Sequence, residues 1–135
     1  MITSLYAAII GFGLIALSVN IIKGRWLHGV GIGDGNNVDM KRRIRAQANM
    51  VEYAPIFLIL MGLAEHNGLQ TWGIHSLSVL FLFGRLMHAY SLLFGEQYNA
   101  EKLLAKPTWR IRGMVLTFTT IGVVSAINII QFFMS

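Results

Sequence analysis

ITSLYAAIIGFGLIALSVNII, residues 2–22, holds no Asp, Glu, Lys or Arg across 21 positions. Coiled as an α-helix it would extend about 31 Å, matching a hydrocarbon core of about 30 Å. No basic segment precedes it, and the run is longer than the apolar core of a signal peptide, so it reads as a retained helix. Three further apolar blocks follow, and the expected helices cover residues 2–22, 39–66, 72–94 and 108–134. With 55% hydrophobic and 13% charged residues, the chain is unlike a soluble domain, which carries about a quarter charged. These features predict one domain, residues 1–135: an all-α integral membrane bundle of four spans.

The cations sort by loop. Six of the eleven Lys and Arg lie in 23–45 and four in 102–112, whereas the turn after the second block has none. By the positive-inside rule the first and third connections face the cytoplasm and both termini the opposite side. This placement also explains the net charge of +5 without nucleic acid. The chain has no cysteine, so no thiol of its own, and its four histidines lack partners at metal spacing, so no metal is expected. Residues 28–38, HGVGIGDGNNV, alternate glycine like a phosphate loop. No strand precedes them and no Gly-Lys-Ser/Thr follows, which leaves a connector.

The chemistry gathers in residues 45–55, RAQANMVEYAP. On a helix Arg45, Asn49 and Glu52 form one stripe, which Arg42 extends by a turn. Asp39 is the expected N-cap of this helix, and Pro55 is expected to kink it. Arg85 and His88 share a face of the third block, and the fourth opens with Arg110 and Arg112. The topology brings Arg25, Arg45, Asn49, Arg85, His88 and Arg112 to one cytoplasmic level. Ionisable groups in spans face partners or wet cavities rather than lipid. Several guanidiniums suit a ligand rich in carboxylates, Glu52 an ammonium, and Asn49 either. A small, net-anionic zwitterionic peptide fits. Two other readings use the same residues: a structural network clamping helices together, and a polar path through a transporter or channel subunit. Lys41, Arg42, Arg43, Lys102 and Lys106 read as topology charges, and Arg112 could be a flanking charge of the same kind.

The motif Arg45-Ala46-Gln47-x-Asn49-x-x-Glu52-Tyr53-x-Pro55 resembles the second-helix signature of the MAPEG proteins, membrane-associated proteins in eicosanoid and glutathione metabolism. Its nearest likeness is to a bacterial-type member similar to microsomal glutathione transferase. The resemblance implies a homotrimer with glutathione as co-substrate, held between subunits near the cytoplasmic face of a bacterial inner membrane. Arg45, Gln47, Asn49, Glu52 and Tyr53 match positions at the glutathione site. Arg25, with Lys23 as a rival, is similar to a first-helix arginine that reaches the ligand. Arg85 and His88 resemble the third-helix element. Arg112, with Arg110 as a rival, looks like the fourth-helix arginine that activates the thiol. Where eicosanoid-handling members carry a tyrosine seven residues after the third-helix arginine, this chain has Leu92. The implied activity is a glutathione transferase acting on lipophilic electrophiles, with glutathione peroxidase activity toward lipid hydroperoxides. The family also contains lipid-binding or scaffold proteins without catalysis, which is the alternative.

Overall fold

The computed structural model describes residues 1–99, 102–104 and 107–134. Four helices form an antiparallel bundle: α1 Thr3–His28, α2 Val38–His66, α3 Thr71–Tyr90 and α4 Thr108–Met134. A π turn, Ser91–Gly95, prolongs α3, and the short strands β1 Tyr98–Asn99 and β2 Lys102–Leu103 pair antiparallel before α4. Each helix, α3 taken with its π turn, is long and apolar enough to cross a bilayer. The bundle is that of a multi-pass membrane protein. Of the topology charges read from the sequence, Lys106 lies outside the described residues.

Helix α1 runs six residues past the expected end at Ile22. Arrival of charge at Lys23 marks the edge of the apolar zone, but a helix needs a chain reversal to stop. That comes at Gly29, which adopts φ 64° and sends its N–H to the Arg25 carbonyl. The extension is held from outside: a Cβ on Gly24 would meet Arg43 Cδ at 2.7 Å and Met40 Sδ at 2.8 Å, so α2 packs directly on this glycine. The cap of α2 is also displaced from the expectation. Asn37, in extended backbone, accepts from the Met40 amide at 3.1 Å. Asp39 lies inside the first turn and binds His28 (2.9 Å) and Arg43 (2.7 Å), tying the end of α1 to the start of α2. The helix then continues through Pro55 to His66.

The core lies between α2, α3 and α4. Phe57 and Phe81 stack at 4.0 Å with planes 4° apart, surrounded by Ile10, Met50, Met61, Ile74 and Val124. Outward-facing Phe12, Ile15, Ile59, Phe83, Phe118 and Ile129 are exposed, as befits a surface whose solvent is lipid. At one end of the bundle Glu65 accepts from the amides of Ile2 and Thr3, and Gln131 donates to the Ala64 carbonyl at 3.1 Å. The opposite end carries the crowd of cations, and there the helix termini splay around cavities.

Candidate functional site

A cavity of about 590 Å³ opens at the charge-rich end between α2, α3 and α4. Arg45, Asn49 and Tyr53 come from α2, His88 from α3 and Arg110 from α4, facing an apolar wall that includes Ile111, Val115 and Phe118. One side is thus polar and cationic, and the other continues into the lipid-facing surface of α4.

The stripe of α2 divides. Arg45 and Glu52 approach at 3.5 Å on the outer surface, with side chains 62% and 47% exposed. Asn49 turns inward and is buried. The division follows from phase: four residues advance a helix by about 40° beyond one turn, whereas seven return nearly to the start. Asn49 therefore sits on the edge of the stripe nearest α3.

There it meets Arg85, which is 2% exposed. The Arg85 guanidinium donates to Asn49 Oδ1, to Thr117 Oγ1 (2.5 Å) and to Met114 Sδ (3.3 Å), and lies 5.3 Å from the Tyr53 ring. Among the described residues it has no carboxylate partner, and its Nε is unpaired. Arg85 thus stands behind the cavity wall, orienting Asn49 and Tyr53 rather than lining the cavity itself. Tyr53 is also fixed by an edge-on contact with Phe118 at 5.6 Å.

The two fourth-helix arginines part company. Arg110 lines the cavity and donates to Glu96 Oε2 at 3.1 Å and to the Tyr98 hydroxyl at 3.4 Å. Arg112 is exposed and stacks 5.9 Å over Trp109, away from the cavity. Two residues on a helix are about 200° apart, so only one of the pair can face a given cleft. Two expected site residues also lie elsewhere in the chain. Arg25 folds onto its own loop, donating to the Gly33 carbonyl at 3.2 Å, beside a separate hollow with Trp26 and Val30. Gln47 donates to Ser18 Oγ at 2.7 Å and ties α2 to α1.

Glu96, Ser91 and Tyr98 were not singled out from the sequence. The Glu96 carboxylate is buried and receives the hydroxyls of Ser91 (2.8 Å) and Tyr98 as well as Arg110. Burial first, and then the hydrogen bond and charge of Glu96, push the Tyr98 phenol above its ordinary pKa, so it stays a donor. The one signal in the sequence was chemical scarcity, since Glu96 and Glu101 are the only acids between Glu65 and the C-terminus.

This set of second-helix residues beside a cleft at the helix ends is accompanied by a match to the MAPEG family over residues 3–130. The chain belongs to the MAPEG family. Among similar proteins is inner membrane protein YecN, in Escherichia coli strain K12 and in Escherichia coli O6:H1. Each is 38% identical over 90 residues, covering 67% of this chain and 69% of the relative. The cavity of this MAPEG protein contains no grouping of three or more His, Asp or Glu that could hold a metal among the described residues. What it offers is guanidinium, amide, phenol and imidazole, all suited to gripping an organic anion.

Proposed function

We propose that this MAPEG protein is a membrane-bound glutathione transferase that presents the glutathione thiolate to lipophilic electrophiles, with glutathione peroxidase activity toward lipid hydroperoxides. The observation that carries the reading is the two-sided cavity: Arg45, Asn49, Tyr53, His88 and Arg110 on one wall, and Ile111, Val115 and Phe118 leading to lipid on the other. Family membership adds weight, because MAPEG proteins generally bind glutathione.

The chemical task is ionisation. A free thiol has a pKa of about 8.5, leaving only a few per cent as the reactive thiolate near pH 7. A guanidinium beside the sulfur favours the anion. Of the two rival arginines we assign this role to Arg110, since it faces the cavity within the protomer. Arg45 and Asn49 would take the carboxylates, Glu52 the ammonium group, and Arg85 would hold Asn49 in position. The sulfur would then attack an electrophilic carbon of the second substrate, displacing its leaving group, or the terminal oxygen of a hydroperoxide. In the latter case the O–O bond breaks to release the lipid alcohol, leaving a glutathione sulfenic acid that a second glutathione converts to the disulfide and water.

A homotrimer is part of this proposal. Arg45 and Glu52 are half-exposed or more on a spanning helix. Charges facing hydrocarbon are costly, so a second copy covering them, and contributing Arg25 and Gln47 from its own surface, is the economical arrangement. The proposed setting is a bacterial inner membrane with the cavity toward the cytoplasm. Cysteines placed at Asn36 and Asn99 would then escape an impermeant external reagent, and one at Asn67 would react.

A second reading, a lipid-binding or scaffold protein without catalysis, is favoured by one observation: Arg110 is already paired with Glu96 at 3.1 Å, which spends part of its charge. Turnover separates the two. Detergent-purified protein should conjugate glutathione to chlorodinitrobenzene and reduce a lipid hydroperoxide. Glutathione binding with neither reaction would favour the binder.

A further inference from the structure

A second hollow of about 270 Å³ adjoins the cavity at the charge-rich end, between the opening turns of α2 and α4. Arg42, Arg45, Arg110 and Lys41 line it, together with the Tyr98 ring. Sequence reasoning gives Lys41 and Arg42 no role beyond setting topology. A topology charge, however, needs only to be solvated. Two of the arginines are instead fixed by one edge. Arg42 donates through Nε to the Leu92 carbonyl at 2.5 Å and stacks 5.5 Å over Tyr98. Arg110 is anchored through Nη1 to Glu96 and Tyr98, while Arg45 stands at the surface 3.5 Å from Glu52.

A guanidinium has five N–H groups in a rigid fork, so anchoring one edge leaves the other pre-aimed. Two such forks, Arg42 from α2 and Arg110 from α4, come onto one small hollow beside the Arg45 guanidinium. The Glu96 carboxylate is already engaged by Ser91, Tyr98 and Arg110, and Tyr98 is held protonated, so it adds no negative charge. The lining, cationic from both helices, suits a compact oxyanion.

We infer that this hollow is a phosphate-binding site, gripped by Arg42, Arg45 and Arg110. Two sources share that chemistry: the headgroup of an anionic phospholipid at the same membrane level, and a soluble phosphate compound. Arg45, Leu92 and Arg110 line both this hollow and the larger cavity, so the two occupants would share the Arg45 and Arg110 guanidiniums, and of the three arginines Arg42 belongs to the hollow alone. The inference stands without glutathione as the larger cavity's ligand.

The test is thermal stability in nanodiscs of phosphatidylcholine with and without phosphatidylglycerol, and in detergent with inorganic phosphate. Four proteins are compared: wild type, Arg42→Gln, Arg42→Lys and Lys23→Gln. Wild type and Lys23→Gln should be stabilised by phosphatidylglycerol, by inorganic phosphate, or by both. Arg42→Gln should need roughly ten times more of the effective probe, the order expected for losing a bidentate charged contact. If Arg42→Gln proves too unstable to compare, Arg42→Lys decides, because it keeps the charge and loses only the fork. A response to phosphatidylglycerol alone identifies the lipid as the source, and a response to inorganic phosphate in its absence identifies a soluble one. Stabilisation by neither probe overturns the site. So does full retention in Arg42→Lys with equal losses in Arg42→Gln and Lys23→Gln, which would mean diffuse attraction between a basic face and an acidic bilayer.

Discussion

Gly84 of α3 and Gly113 of α4 meet backbone to backbone: a Cβ on Gly113 would stand 2.6 Å from the Gly84 carbonyl oxygen, and one on Gly84 2.9 Å from that of Gly113. No side chain can be accommodated there without moving a helix. The crossing sets the height of Arg85, next to Gly84, and of Arg110, a turn before Gly113. It therefore helps fix the wall of the cavity independently of the polar contacts.

Gly113→Ala should accordingly cost about 1–3 kcal/mol, the usual range for forcing a methyl group into a filled contact. Gly122 is the internal control, since a Cβ there meets nothing within 4 Å. Gly122→Ala should be neutral or stabilising by about 0.5–1 kcal/mol, from reduced freedom of the unfolded chain. Thermal melts of the two variants in one detergent check the contrast, and equal melting temperatures would refute the close crossing.

The bond between Arg85 and Asn49 predicts a non-additive pair. Asn49→Ala removes an acceptor from a buried cation and should cost about 1.5–3 kcal/mol. Arg85→Met leaves Asn49 Oδ1 without its donor and should also destabilise. Once one partner is gone the second loss matters less, so the double variant should fall short of the sum by at least about 0.5 kcal/mol. Additive losses in denaturant or thermal unfolding would mean that the two side chains act separately.

The sequence made the class plain because uncharged 21-residue runs have one physical solution. Helix ends were less legible. A helix stops where the chain reverses, at Gly29, and not where hydropathy drops, at Lys23. Asn37 caps the helix, while Asp39 inside the first turn bonds His28 of α1 and Arg43 one turn along α2. Within the site, periodicity grouped Arg45, Asn49 and Glu52; Arg45 and Asn49 line the cavity together with Tyr53, which the family resemblance supplied, while Glu52 lies at the outer surface. It could not tell Arg110 from Arg112, because no connector of uncertain length fixes the phase of the next helix. Glu96 was invisible for a related reason: its partners lie on the π turn, the connector and α4, and only the fold brings them together.

Tyr98 supplies a pH test. Its phenol is held protonated above the ordinary 10.0, so the folded state binds a proton that the unfolded chain releases near that value. The stabilisation is complete below about pH 10 and is lost as pH rises through the higher folded-state pKa. Tyr98→Phe removes the titrating group and should flatten the alkaline fall in melting temperature relative to wild type. An unchanged slope would show that another group governs it.

Arg110 and Arg112 differ in what they face, and their variants should differ in kind. Arg110→Leu should lower kcat by roughly 10- to 100-fold, the order seen on removing an electrostatic stabiliser, with partial recovery as pH rises. It also leaves the buried Glu96 without its cation, so the melting temperature should fall. Arg112→Leu should change kcat within a few fold and leave stability alone. Steady-state rates with chlorodinitrobenzene across pH decide the assignment, and a swap of the two outcomes would return the activating role to Arg112.

The central claim is that the cavity holds glutathione with its thiol ionised, and one titration addresses it directly. Glutathione is added to the purified protein near neutral pH while the ultraviolet absorbance of thiolate is followed, with Arg45→Ala beside wild type. A saturable thiolate signal is expected in wild type. In Arg45→Ala the midpoint should shift at least about tenfold, as expected for a charged contact at a binding site, with the fold intact. Saturable binding without thiolate, or no binding by folded protein, would contradict the claim.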